Sequence, residues 1–400
     1  MTQTIAWWRK PTFWNKALAV LVSLYILGLF LPDLPKLENL ALYGAVLICL
    51  FGGRWRTGLR ELAHPLILIL LALLGWLFLT ATLSDDPAQS LTEYRRSFKD
   101  YFLIFLPLMF VLTDEAGRRL LARLIAFAGV IIVFANGMQY VHEWLTDPSR
   151  LLNIKAHRGW GHPLVFLLPF ALMQMRLSTG RVSHLWLLLA LVEGAMIIAT
   201  GARGAWLAML AVILVWAVAG FNRKQLLKLA AGGLVLLLIA YFALPSFLLR
   251  DRIEQGFDTS MRTTGTWGPA IEMMDERPTL GFGFGKEIFN REFNSRVPER
   301  EAWSIKHSKG PHSIYLEAGF AGGYPALAGI ILLFGAIATY GYLGMRRSRL
   351  LEDRFFVLAA TSSFVGFYLT RGAMETIRWS PLIILLGIIV QASRRSPADK

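Results

Sequence analysis

The chain has 400 residues, 55% of them hydrophobic and 17% charged, with a mean hydropathy of +0.49. Soluble domains are about a quarter charged, so a water-soluble globule of this composition would expose more hydrocarbon than water tolerates, and lipid is its natural solvent. The formal charge of +14 does not mark a nucleic-acid binder, because the basic residues punctuate apolar runs and form no single patch. A lone cysteine, Cys49, rules out an intrachain disulfide.

Arg9, Lys10 and Lys16 precede the first apolar run. Phe30-Leu31-Pro32 follows it, with no small-residue cleavage pattern, which predicts a retained first helix and no removed signal peptide. Runs long enough to cross about 30 Å of hydrocarbon lie near 14–31, 38–53, 65–83, 98–113, 118–140, 162–177, 184–200, 204–219, 225–244, 322–344, 355–370 and 377–392. They are continuous and not alternating, which excludes a closed β-barrel. The expected fold is an all-α polytopic membrane domain over 1–400 with about twelve transmembrane helices.

Lysine and arginine in the short connections set the orientation. With the amino terminus inside, the inner segments hold twenty basic residues and the outer connections ten. Both termini are therefore expected in the cytoplasm. The largest polar segment, about 245–311 between spans 9 and 10, then lies outside as a subdomain, with ten basic and ten acidic residues. Within it Trp267, Ala270, Ile271 and Met274 fall on one helical face and Glu272, Asp275 and Glu276 opposite. Pro278 ends that helix, and Gly281-Phe-Gly-Phe-Gly285 makes a turn-rich link. No internal repeat or low-complexity tract is present.

Four features on the outward side have chemical potential. Pro311-His312-Ser313 opens an apolar run, and proline favours the first helical position, which predicts His312 in the first turn of a helix. The exposed N–H groups there disfavour imidazolium and keep the ring neutral, as a general base requires. Arg203, in Thr200-Gly-Ala-Arg-Gly-Ala-Trp206, sits at the lip of two apolar runs, where a guanidinium needs a partner or water. Arg262 precedes Trp267 in the polar segment. His157-Arg158-Gly-Trp160-Gly-His162-Pro163 enters the sixth span. Each has a plainer reading: a capping histidine, a snorkelling arginine, a solvated surface charge, a lipid-headgroup contact. Taken together, arginines that bind a diphosphate through forked hydrogen bonds and a neutral imidazole suit transfer from a lipid diphosphate. There is no Walker loop, so no ATP is implied, and Asp85-Asp86 lacks the His or Cys neighbours of a metal site.

The order of these motifs is similar to that of the O-antigen ligases of the bacterial lipopolysaccharide pathway, in a superfamily that also holds O-antigen polymerases and protein O-oligosaccharyltransferases. The resemblance rests on Gly-Ala-Arg203-Gly-Ala-Trp, Arg262 followed by Trp267, Glu276-Arg-Pro-Thr-Leu-Gly-Phe-Gly-Phe-Gly285 and His312-Ser-Ile-Tyr-Leu-Glu317 after a large outer loop. It implies a GT-C-like inner-membrane enzyme that needs no metal or other cofactor. Such an enzyme moves a glycan, with inversion, from undecaprenyl diphosphate to a sugar of lipid A–core on the periplasmic leaflet. In that scheme His312 takes the general-base position and Arg203, Arg262 and Arg158 the diphosphate positions. Trp160, Tyr315 and Arg371 are candidates to line the pocket. Ser313 stands where family members often have asparagine. Two alternatives stay open: a polymerase with the same chemistry, and a lipid-glycan transporter or flippase.

Overall fold

The computed structural model describes residues 11–31, 35–51, 60–147, 161–243, 260–375 and 377–394, and among them the secondary structure is helical with no strand. In chain order the helices are α1 Pro11–Phe30, α2 Pro35–Phe51, α3 Pro65–Thr82, α4 Pro87–Thr113, α5 Glu115–Thr146, α6 Gly161–Leu177, α7 Gly180–Ala199, α8 Arg203–Ala219 and α9 Arg223–Ala243. There follow α10 Ser260–Thr263, α11 Trp267–Glu276, α12 Lys286–Arg296, α13 Ile314–Arg347, α14 Leu351–Phe364 and α15 Leu382–Arg394. A helix lies over each apolar run read from the sequence, over only the later part in the case of 377–392. Among the described residues five helices are long and apolar enough to cross a membrane: Phe13–Phe30, Pro65–Thr82, Glu115–Thr146, Gly180–Ala199 and Ile314–Arg347. The chain is an integral membrane protein.

The helix starts follow from their sequences. His64, Asp86 and Asp114 are N-caps whose side chains accept from Leu66 N (3.2 Å), Gln89 N (3.1 Å) and Gly117 N (2.8 Å). Pro65 and Pro87 supply the fixed φ that suits a first turn. Several boundaries differ from the apolar pattern, two of them for local reasons. α4 begins eleven residues before its apolar run at 98, because its first turns bury Ser90, Tyr94 and Phe98, spaced by four along one stripe, against other protein and not lipid. α15 begins only at Leu382, since Pro381 donates no N–H and the preceding stretch turns.

One large core joins α1, α3, α4, α5, α6, α8, α13, α14 and α15. A second, smaller core belongs to the polar segment: Ala270, Met273, Phe282, Phe289, Phe293, Trp303, Ile305 and Phe320. The helix over 267–276 forms, but its buried face is Pro269, Ala270, Met273 and Met274, whereas Ile271 is 43% exposed. The correction has a simple origin. This helix packs against the start of α13 along a stripe rotated by a residue or two, and Ile271 falls at its edge. The expected polar face is fully used: Glu272 accepts from Trp303 Nε1 (3.0 Å), Asp275 from Tyr324 OH (2.6 Å), and Glu276 from Arg296 (2.6 Å).

The glycine-rich link fastens the polar segment to the bundle. α13 is kinked at Gly322 and Gly323, which frees carbonyls of the preceding turn. Phe282 N donates to Phe320 O (2.9 Å), Gly283 N to Ala321 O (3.1 Å), and Tyr324 N to Pro278 O (2.7 Å). Gly281 (φ 63°) and Gly323 (φ 67°) hold left-handed backbone at this crossing, and a Cβ on either would run into the backbone of the other strand. Phe284 N then donates to Ser90 Oγ (2.7 Å), and the Glu93 carboxylate accepts from Lys286 N (2.6 Å) and Glu287 N (3.1 Å), capping α12 from α4.

Candidate functional site

At the end of the bundle that carries the polar segment lies a cavity of about 720 Å³. Arg203, Arg262 and His312, widely separated along the chain, all line it. Three local structures place them. Thr200 and Gly201 (φ 61°) turn the chain between α7 and α8. Arg203 is therefore the first residue of α8, where its side chain faces the cavity and the free N–H groups of a helix start favour negative charge. Arg262 comes from the short α10, with its guanidinium carbon 5.2 Å from the centre of the Trp267 ring, a cation–π contact that orients the side chain. Burial lowers the pKa of Arg262; Glu375 acts against this and the like charge of Arg203 adds to it. A guanidinium remains charged through such a shift, so the site holds two neighbouring, partly desolvated cations.

His312 does not sit in a helical first turn as its sequence context suggests. α13 starts at Ile314, Ser313 is its N-cap with extended backbone, and His312 precedes the cap with φ 50°. The register is fixed from outside the helix: Ile314 N donates to Gly372 O (2.8 Å), while the first helical bond runs from Glu317 N to Ser313 O (2.9 Å). Proline 311 thus lies in the loop and not at N1. Among the described residues His312 is the one non-glycine with positive φ, a conformation costing about 1–2 kcal/mol, of the kind that collects at functional sites. Trp267 Nε1 reaches toward the His312 carbonyl at 3.5 Å.

The remaining candidates divide. Arg158 and Trp160 lie outside the described residues. Tyr315 points away from the cavity, into the bundle: its ring packs edge-on against Phe334, centroids 5.5 Å apart, and its hydroxyl faces Leu369 O at 3.4 Å. Arg371 does not line the cavity but stands directly behind it. It ends a π-helical turn, Val365–Arg371, is fully buried, and donates through Nη2 and Nε to Glu375 Oε2 (2.7 and 2.9 Å). Asp85 and Asp86, dismissed as a metal pair, hold Arg277 (2.7 Å) and Arg291 (2.8 Å) of the polar segment.

Sequence reasoning overlooked Glu375. It lines the cavity, packs against Gly204 in the first turn of α8, and its Oε2 lies 3.5 Å from His162 Nε2. Its i, i+4 spacing from Arg371 was the available signal. Glu317, Lys286 and Lys309 also line the cavity; the lysines were read only as members of a charge-balanced loop, and Glu317 only as the end of the motif that His312 opens. Among the described residues no group of three or more His, Cys, Asp or Glu could hold a metal ion.

Residues 186–331 match the family model described as O-antigen ligase. Over this stretch the chain is similar to the O-antigen ligases. It is also 26% identical to the O-antigen ligase of Salmonella typhimurium, across 96% of this chain and 97% of that relative. The matched stretch runs from within α7 to within α13 and contains Arg203, Arg262 and His312. His162, on α6, and Glu375, in the turn that follows the π-helical segment, lie on either side of it in sequence, so the cavity is completed by residues outside the matched stretch.

Proposed function

We propose that this cavity is the active site of an O-antigen ligase in the bacterial inner membrane, moving a glycan from undecaprenyl diphosphate to a sugar of lipid A–core. In this reading the chain crosses the bilayer about twelve times in a GT-C-like arrangement. Both termini are cytoplasmic, and the segment around 245–311 is a periplasmic subdomain. One observation carries the reading: an imidazole and two guanidinium groups, distant in sequence, line a single cavity large enough for a sugar diphosphate.

The acceptor hydroxyl oxygen forms a bond to the anomeric carbon as the bond from that carbon to the diphosphate oxygen breaks. The electron pair leaves with the diphosphate, and the hydroxyl proton passes to His312. Attack opposite the leaving group inverts the centre. Arg203 and Arg262 stabilise charge gathering on the departing diphosphate, an electrostatic contribution that grows as water is excluded. No step calls on a metal, because forked guanidinium–phosphate contacts supply the charge compensation.

The test is ligation by purified protein in vesicles containing lipid-linked glycan and lipid A–core. His312→Ala at wild-type abundance is expected to lose about 10²–10⁴ in rate. Arg203→Lys, which keeps charge but not the fork, is expected to lose activity appreciably. Normal ligation by His312→Ala ends the base assignment. Extension of the lipid-linked glycan in preference to lipid A–core moves the protein to the polymerase reading.

A further inference from the structure

The cations of the cavity are of two kinds, and only one kind is explained by the diphosphate. Arg203 and Arg262 lie close enough for each to feel the other's charge. Lys286 and Lys309 enter the same cavity from other elements: Lys286 opens α12, and Lys309 lies in the loop leading to Pro311. Both elements are anchored by the second core, through Phe289 of α12 and through Ile305 just before the loop. The lysine-bearing loop is pinned rather than left to wander: Ser308 N donates to Asn294 Oδ1 (2.8 Å) and Ser308 Oγ to Asn290 Oδ1 (2.7 Å), both on α12. Gly310 then takes φ 84° and turns the chain toward His312.

Among the described residues neither lysine ammonium has an ion pair or a side-chain hydrogen bond to an anionic group. The Glu93 carboxylate beside Lys286 accepts from the main-chain N–H groups of Lys286 and Glu287. Of the two carboxylates lining the cavity, Glu375 is held by Arg371, and Glu317 lies on the first turn of α13. A concave site with two uncompensated ammonium groups attracts and orients an anion. Ammonium groups bind phosphate or carboxylate as point charges, without the forked geometry that a diphosphate draws from arginine.

We infer that Lys286 and Lys309 form a second anion subsite, which recognises a phosphate or carboxylate group on the acceptor oligosaccharide and so helps select the acceptor. The inference rests on the ligase reading for the word acceptor, and the anion-binding chemistry stands on the lysines alone. The same chemistry would be met by an acidic sugar on the donor glycan, so the experiment separates the two.

The test uses full-length protein in vesicles, a neutral donor glycan, and lipid A–core either phosphorylated on its core sugars or treated with phosphatase. For Lys286→Gln/Lys309→Gln the apparent KM for phosphorylated acceptor is expected to rise about tenfold, with kcat and the donor KM within twofold of wild type. On dephosphorylated acceptor the variant and wild type are expected to coincide. The wild-type KM for phosphorylated acceptor should also climb with ionic strength, and that slope should flatten in the variant. Equal loss on both acceptors, or a change confined to the donor KM, overturns the inference. Binding of labelled acceptor to His312→Ala protein keeps the two claims apart. Lysine-dependent binding without any wild-type turnover refutes ligation and leaves the subsite. Wild-type turnover with phosphate-independent binding refutes the subsite and leaves ligation.

Discussion

Arg371 and Glu375 show what a single pair costs in this setting. A guanidinium with no exposed surface needs its partner, since an uncompensated buried charge is destabilising by about 3–5 kcal/mol. Glu375 keeps 24% of its side chain exposed, so Glu375→Ala is expected near or below the lower end of that range, read as an earlier thermal transition in detergent. Arg371→Met/Glu375→Ala removes both charges and is expected to recover most of the loss. A double variant no more stable than Glu375→Ala would mean that the two groups act independently. His312 presents the opposite economy: its left-handed backbone is held by the bond from Ile314 N to Gly372 O on one side and the turn at Gly310 on the other. Backbone direction, not helical phase, decides where this imidazole points.

The interdependence of elements is clearest at the kink in α13. Gly281 and Gly323 let two stretches of main chain exchange hydrogen bonds at close range, and Trp76 Nε1 donates to Gly322 O (2.8 Å) from α3. Gly323→Ala places a Cβ at positive φ against the Pro278–Thr279 backbone. It is expected to cost at least about 1–2 kcal/mol. The loss should appear in hydrogen exchange as deprotection of 278–284 and 320–324 before the rest of the bundle. Uniform protection in the variant would show that the crossing contributes little. Because α13 begins at the cavity and α12 carries part of its wall, the same substitution is expected to lower the ligation proposed above without touching a cavity residue.

For the whole molecule, the polar segment and the apolar bundle are held together differently, and acid should separate them. Hydrogen bonding to Arg296 holds Glu276 below the ordinary carboxylate range, and the Gln89 main chain together with Arg291 does the same for Asp86. A carboxylate whose folded pKa is depressed contributes stability that is present above its unfolded pKa, about 4, and lost as pH falls through the folded value. These are exposed pairs, individually weak and screened by salt. Between pH 4 and 3 proteolysis is expected to find sites in 267–303 while α3, α5 and α13 stay protected. Simultaneous loss of both regions, or none, would contradict that division.

Composition and hydrophobic continuity alone determined that the chain is helical and lives in lipid, because every backbone polar group in hydrocarbon must be satisfied within its own segment. They also placed helices over the apolar runs, for capping and proline chemistry are local. Arg203 and His312 could be singled out because glycine and proline beside them mark the ends of apolar runs, and Arg262 because it precedes Trp267 in the polar segment. Their meeting in one cavity could not be, nor could Lys309, which stands in an unremarkable stretch, while Glu375 offered only its i, i+4 spacing from Arg371. Position in space depends on how separate helices pack and on bonds such as Ile314 N to Gly372 O, which join residues that sequence periodicity treats as strangers. Local chemistry wrote the helices; packing between distant segments decided which charges face one another.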